Sequence, residues 1–369
     1  MKFVLTTLIL LMTVPSFAKE FTYYARSPQA LLMGDAFTAI ADDEYTLYYN
    51  PAALGRHSGF TLYLANPNVS ATNPLGDLDR FSDLPEDAVG IAGRFLGYPV
   101  HLGLGITPGL KMGNFGLSLF AQNHLNFKIM NITRPMLDID YRYDRGFATG
   151  FAFTSGKMGK KGTGRQFNFG VGLKYVKREA LINNFALFST KLLNIINQTE
   201  TSDTTALRDA LGYSKGRSWA LDLASEMVIR PSSNSQFVAA IAAMDFGGTH
   251  FTEYQGAQVQ PQEMMLNTGI AWSQDWGLLD YQLSMDYVGI TQPADAGTKI
   301  KMGGKLGLPL LDVMLGYNGG YLSYGVGVEF WPLRLYAGFY GVELGAKYKQ
   351  FVGNRALIYL SLLDMEFDM

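Results

Sequence analysis

Strict alternation of apolar and polar residues in many short stretches is the feature that most limits the fold of this chain. In "LDYQLSMDY", Leu279, Tyr281 and Leu283 share one face of a strand, and Asp280 and Gln282 share the other. The stretches "LDIDYRYD", "WALDLASEM" and "RQFNFGVGLKY" repeat the pattern. Their apolar faces are rich in aromatic residues, which is typical of strands that face lipid on one side and a watery lumen on the other.

About 14 stretches of the chain alternate in this way. They start near Thr61, His101, Phe115, Leu137, Gln166, Ser218, Gln236, Gln262, Gly277, Thr298, Asp312, Tyr321, Leu333 and Arg355. Long and short connections alternate along the chain. Residues 178–216 and 247–261 are long, whereas "RPSSN" and "SQDW" are tight turns. Bacterial barrels have long outer loops and short periplasmic turns. The sequence therefore predicts an all-β fold, a transmembrane antiparallel β-barrel of about 14 strands over residues 59–369 with both termini in the periplasm.

The first residues carry an export signal. Lys2 precedes an apolar run over residues 3–14, and Ser16 and Ala18 place small residues where cleavage after Ala18 requires them. The run is shorter than the roughly 20 residues of a transmembrane helix. Residues 1–18 are thus predicted to be a signal peptide of the general secretory pathway, and the protein is predicted to lie in the bacterial outer membrane. Because the chain has no Cys, we expect neither disulfides nor a lipid-anchored cysteine.

Residues 19–58, which precede the first strand, are predicted to form a hatch inside the barrel. A barrel of about 14 strands encloses a lumen that is wider than its own side chains can fill. Gly34 and Ala36 allow close packing, and Asn50 followed by Pro51 predicts the start of a short helix. The acidic run of this segment can pair with bases of the lumen wall. The acids are Asp42, Asp43 and Glu44, and the candidate bases are Arg142, Lys174 and Arg334.

The stretch "MGDAFTAIADDEYTLYYNPAAL", residues 33–54, resembles the N-terminal signature of the long-chain fatty-acid transporter (FadL-like) superfamily of outer-membrane proteins. The matching residues are Gly34, Ala36, Phe37, Ala39, Ala41, Asp42, Asp43, Tyr48, Tyr49, Asn50, Pro51, Ala52 and Leu54. Ala53 replaces one glycine of the signature. The resemblance implies a barrel with this segment as its hatch, and transport of fatty acids or aromatic hydrocarbons. Related branches include PorV-like shuttle proteins of a secretion system and TraF-like proteins.

The long connection 178–216 is the third outer loop in strand order and contains a second candidate site. Its apolar residues recur at steps of three and four, which predicts a helical face made of Leu181, Phe185, Phe188, Leu192 and Ile195. The resemblance implies that this loop forms part of a ligand groove. The alternative is a lid that packs on the barrel rim and binds nothing. The first outer loop is predicted to contain a helix that starts at Pro85 and ends before Gly97.

Signals for other kinds of function are weak. No nucleophile–base pair stands out, so we predict that the protein is not an enzyme. The 4 His residues are scattered in a chain without Cys, so we predict no metal site and no cofactor. The net charge of −2 argues against a nucleic-acid partner.

Two functions remain open at this point. The first is a channel for passive uptake of hydrophobic small molecules such as long-chain fatty acids or aromatic hydrocarbons. The second is a plugged barrel that shuttles or anchors secreted or surface proteins. Both imply outer-membrane lipid and the barrel-assembly machinery as partners, and apolar loop residues support both equally.

Overall fold

The computed structural model describes residues 20–367 apart from 74, 76–79, 84, 86–87, 132, 159–162, 187–207, 209–210 and 257. The strands are β1 (Phe60–Tyr63), β2 (Asn68–Thr72), β3 (Val100–Ile106), β4 (Gly109–Met112), β5 (Phe115–Met130), β6 (Met136–Met158), β7 (Gly164–Ala186), β8 (Ser214–Ser232), β9 (Ser235–Met244), β10 (Thr252–Gln255), β11 (Met265–Asp275), β12 (Asp280–Tyr287), β13 (Ile300–Leu308), β14 (Leu311–Asn318), β15 (Tyr321–Phe330), β16 (Leu333–Glu343), β17 (Val352–Leu362) and β18 (Met365–Phe367). The helices are Pro28–Leu32, Thr46–Tyr49, Ala88–Phe95 and Ala296–Lys299, with a 3-10 helix at Pro51–Arg56. None of the helices in the described ranges has the length and apolar character needed to span a membrane.

The strands close into one antiparallel barrel of 14 strands, which confirms the predicted fold class. Consecutive segments lie in series along the same barrel strand at β1 and β2, β3 and β4, β9 and β10, and β17 and β18. The wall closes where β2 pairs with β17 and β1 pairs with β18. Closure lets the backbone groups of the wall hydrogen-bond to one another in lipid, where no water is available.

Alternation along each strand separates a lipid face from a lumen face. In β7, Lys174 and Arg178 are buried toward the lumen, whereas Phe167 and Phe169 are 52% and 48% exposed on the outside. A register slip of one residue would exchange the two faces, so the pattern fixes the register strongly. Every predicted strand start lies close to an observed one, and the largest offset is at β8, predicted from Ser218 and observed from Ser214.

Residues 20–58, called here the N-terminal segment, lie inside the barrel. Met33, Phe37 and Leu54 of this segment are fully buried. The segment touches wall strands on nearly opposite sides of the barrel, against Gly170 of β7 and Gly316 of β14. It therefore crosses the lumen and does not line only one wall.

The helix predicted in the first outer loop is present over Ala88–Phe95. Phe95 is buried at its end, where it packs with Ile129, and its ring lies 6.3 Å from that of Phe127. Gly97, two residues further on, has a φ of 71°, a conformation that commonly ends helices. The loop thus rests on the outer end of β5.

Candidate functional site

The backbone of the N-terminal segment packs directly against the wall at Gly34. This residue has a φ of 69°, and a Cβ there would lie 2.4 Å from both the Met302 carbonyl oxygen and the Tyr317 nitrogen. Glycine is needed on the wall side as well, since a Cβ on Gly316 would lie 2.0 Å from the Gly34 nitrogen. Contacts this close between two backbones leave no room for a side chain on either of them.

Asp286 of β12 binds the next turn of the segment. Its Oδ2 accepts hydrogen bonds from the backbone N–H groups of Phe37 at 2.8 Å and Thr38 at 2.7 Å. On the same strand, the Ser284 hydroxyl donates to the Ala36 carbonyl oxygen at 2.7 Å. These bonds satisfy backbone groups that would otherwise be buried without partners.

Asn50 connects the segment to a further wall strand through Glu226 of β8. The Asn50 Oδ1 accepts from the Ala52 nitrogen at 3.0 Å, which caps the 3-10 helix as the sequence predicts. Its Nδ2 donates to one oxygen of Glu226 at 3.0 Å. The other oxygen accepts from Arg56 Nε at 3.0 Å and from Asn168 Nδ2 at 2.8 Å. The carboxylate of Glu226 thus joins both ends of the helix to the wall.

Two acids of the predicted run are buried in hydrogen-bonded positions. Glu44 forms a salt bridge with Arg334 at 2.8 Å, as the sequence predicts. Asp43 accepts from the Ser27 hydroxyl at 2.5 Å and from the Tyr45 nitrogen at 2.8 Å. Burial, and then the negative charge of Glu44, raise the pKa of Asp43 to about 7.

The third acid, Asp42, has an exposed side chain. Its carbonyl oxygen accepts a hydrogen bond from Lys111 Nζ. It lines an open, polar vestibule of about 600 Å³ that also includes Arg56, Arg230 and Lys305. The tight turns between β8 and β9 and between β11 and β12 border this vestibule, so it lies at the short-turn end of the barrel, which is the periplasmic end in bacterial barrels.

The other two candidate bases do not bind the acidic run, so that part of the prediction is wrong. Lys174 pairs with Asp222 at 2.9 Å and Asp245 at 3.3 Å. Arg142 pairs with Asp140, two residues away on its own strand. Both bases already pair with carboxylates at neighbouring positions of the wall. Such pairs have a lower entropy cost, because they order less of the chain than a pair with the distant acidic run would.

Replacing Glu226 by Ala is expected to loosen the N-terminal segment. The change leaves the part-buried Arg56 and the buried Asn50 without their shared acceptor, which costs about 1.5–3 kcal/mol of docking free energy. The measurement is the rate at which trypsin cleaves the segment in detergent-solubilised protein, and it should rise at least tenfold. Glu263→Ala, at an exposed position, is the control. Equal cleavage rates for the two variants would show that Glu226 does not hold the segment.

A cavity of about 280 Å³ lies between the N-terminal segment and the outer half of the wall. Phe21, Tyr23 and Leu31 of the segment line it from below. Its polar wall includes Asn68, Ser70, His101, Gln122, His124 and Asn126, and its apolar wall includes Val100, Phe127, Ile182, Leu344 and Leu357. The volume is close to the lower end of the roughly 300–1,000 Å³ range of ligand pockets. Charged side chains also line it, among them Lys128, Asp138, Asp140 and Arg142. The cavity therefore suits an amphipathic small molecule.

A carboxylate from the segment occupies the charged corner of this cavity. Arg355 of β17 donates to both oxygens of Glu20, at 2.9 and 2.7 Å, and Arg26 donates to one of them at 3.0 Å. Burial alone would raise the pKa of Glu20, but Arg355 and Arg26 hold it well below its ordinary value. Glu20 is therefore charged at neutral pH and binds the segment to β17.

The helical face predicted for the third outer loop is wrong for its first two residues. Leu181 and Phe185 lie in β7, where Leu181 pairs with Tyr141 and Phe185 with Leu137 of β6. The hydrogen bonds of the ladder continue to Ala186 and leave no helix there. Phe188, Leu192 and Ile195 lie outside the described residues.

Sequence reasoning missed Ile182, which lines the cavity. Alternation carried on from Lys174 and Arg178 would have placed it on the lumen face, because all three positions are even-numbered. It also missed the Glu20–Arg355 pair, for which no local signal exists. Among the described residues, no group of three or more His, Asp or Glu side chains could hold a metal ion.

No protein-family model and no curated protein matches the chain. Solved structures of transport channels do resemble it. A deletion mutant of the TodX monoaromatic hydrocarbon channel aligns with a TM-score of 0.50 at 10% identity, over 94% of this chain and 100% of that one. CymD, a monoaromatic hydrocarbon channel, gives 0.49 at 11% identity over 95% and 99%, and the toluene transporter TbuX of Ralstonia pickettii gives 0.44 at 8% over 94% and 100%. The likeness to TodX shows that the two chains share their fold.

Proposed function

We propose that this barrel is a FadL-like channel of the bacterial outer membrane that takes up hydrophobic small molecules by passive diffusion. The observation that carries the proposal is the cavity of about 280 Å³ above the N-terminal segment, inside a barrel with the fold of a hydrocarbon channel. The cargo class proposed is a monoaromatic compound or a fatty acid.

Cargo meets three parts of the protein in turn. The apolar residues Phe188, Leu192 and Ile195, which lie outside the described residues, are proposed to make the first contact with the cargo. The cavity beside Ile182 then holds the cargo. The N-terminal segment acts as the hatch below it, with Gly34, Asp42, Asp43, Asn50, Pro51 and Ala52 of residues 33–54 as its main positions. Export by the general secretory pathway and insertion by the barrel-assembly machinery belong to the same proposal.

Ile182→Asp should weaken binding of toluene or a long-chain fatty acid. The change removes an apolar contact and adds a charge inside the cavity, so we expect about a tenfold loss of affinity. Binding is measured by titrating purified protein with a fluorescent fatty acid, and uptake with labelled toluene in cells that express the protein.

Leu181→Asp is a closely matched control, because it makes a similar change one residue away on the opposite face of β7. It should retain the parent affinity. Equal affinities for all three proteins would contradict a cargo site in the cavity. A loss confined to Leu181→Asp would move the site to the outer surface of the strand.

A plugged barrel that carries secreted proteins is the alternative function. The close backbone contact at Gly34 and the hydrogen bonds of Asp286 and Glu226 favour it, because a segment held at several wall strands opens less easily than a loosely bound one. Retention of secreted proteins during purification, together with absence of cargo binding, would support this alternative.

A further inference from the structure

Three basic residues form a row on the outer surface of the barrel. Arg145 of β6 pairs in register with Lys177 of β7, and Lys177 pairs with Arg217 of β8. Lys177 and Arg217 are exposed, and the side chain of Arg145 is 38% exposed. Neighbouring strands lie about 4.8 Å apart, so the row spans about 10 Å of the surface.

The row lies directly beyond a cluster of aromatic residues. Two residues along the same three strands, Phe147, Tyr175 and Trp219 are in mutual contact, with ring centroids 4.9 to 5.9 Å apart. Below them, Phe167 and Phe169 continue the apolar band toward the start of β7. Aromatic girdles mark the membrane–water boundary of a barrel. The basic row therefore lies at headgroup level, and the long 187–213 connection places it on the outer side.

The charges of the row are only partly compensated. Glu179 binds Arg145 at 2.7 Å and lies 3.9 Å from Lys215. Among the described residues, no acid forms a salt bridge with Lys177 or Arg217, although these two cations face each other directly across the strands. Like charges in such a position destabilise a sheet unless an anion lies between them.

We propose that this basic row binds the phosphates of a bisphosphorylated glycolipid of the lipid A type in the outer leaflet. The row is long enough to hold more than one phosphate. A lipid with a single phosphate would therefore leave part of the row unoccupied. Arg145, Lys177 and Arg217 bind the phosphate oxygens, and the aromatic cluster packs against the acyl chains and sugar below. The bound lipid supplies the anion that the facing cations lack.

The test compares lipid A binding by the full-length protein and by the double variant Lys177→Gln/Arg217→Gln. Diphosphoryl lipid A is titrated into detergent-solubilised protein and bound copies are counted by native mass spectrometry. Each base near an anionic headgroup contributes enough that losing two should lower the affinity about 10- to 30-fold. Affinity of the parent should also fall as salt is raised from 50 to 500 mM.

Two controls make the outcome specific. Lys347→Gln/Lys349→Gln removes the same charge from an exposed outer loop and should bind like the parent. Monophosphoryl lipid A and phosphatidylglycerol, which carry one phosphate each, should bind the parent more weakly than diphosphoryl lipid A. All variants are first shown to be folded by heat-modifiable migration on gels. Unchanged affinity of the Lys177/Arg217 variant would overturn the proposal, and so would equal affinity for either lipid with a single phosphate.

Discussion

Deleting residues 21–58 is expected to turn the closed barrel into a conducting pore. The wall strands pair with one another and start at Phe60, so the deletion removes no rung of the closed ladder. It does remove the buried side chains that cross the lumen, such as Met33, Phe37 and Leu54. A barrel of 14 strands without them has an open interior. Single-channel recordings in planar bilayers should show a conductance step that the intact protein lacks.

Heat-modifiable migration on gels is the control that the shortened barrel has folded. A folded deletion variant with no greater conductance than the intact protein would show that the N-terminal segment does not close the lumen. Such a result would also remove the hatch from the proposed transport path.

Gly34→Ala should have the largest effect of any single substitution in the segment. The added Cβ meets two backbone atoms at 2.4 Å, neither of which can move like a flexible side chain, and the residue keeps a φ of 69°. Overpacking costs about 1–3 kcal/mol and left-handed backbone about 1 kcal/mol, so docking is weakened by about 2–4 kcal/mol. Trypsin cleavage of the segment should accelerate at least 30-fold.

Gly97→Ala separates the two causes. Gly97 has nearly the same φ, 71°, but a Cβ there meets nothing within 4 Å. Gly97→Ala therefore introduces only the cost of a left-handed backbone conformation, and the segment should stay docked. If Gly34→Ala cleaves no faster than Gly97→Ala, close contact with β13 and β14 does not position the segment.

The wall was predictable because a period of two residues follows directly from having lipid on one side and water on the other. The apolar side chain of Phe167 indicates the lipid face of its strand, and the charged side chain of Lys174 indicates the lumen face. The starts of β5, β15 and β16 were predicted at the residues observed. The same rule failed at Leu181 and Phe185. Their spacing of four residues fits one face of a helix, and it fits one face of a strand equally well. Only pairing with β6 decides between the two.

Contacts inside the lumen were predictable only in part. The small residues and acids of residues 33–54 indicated a packed segment, and Arg334, the partner of Glu44, was among the three candidate bases. Pairs such as Glu20 with Arg355 join residues far apart in the chain, and no local pattern encodes them. Lys174 shows the limit most clearly, since its carboxylate partners come from β8 and from the end of β9.

The N-terminal segment hydrogen-bonds to the seam of the barrel. At the junction of the first and last strands, Asn68 of β2 donates to the Tyr45 hydroxyl at 3.0 Å, and Tyr359 of β17 donates to Glu44. Asn68 and Tyr359 are themselves paired across the seam. Glu44 and Tyr45, which are adjacent in the N-terminal segment, thus hydrogen-bond to both strands of the seam. The backbone ladder closes the wall, and the seated segment reinforces this joint from inside the lumen.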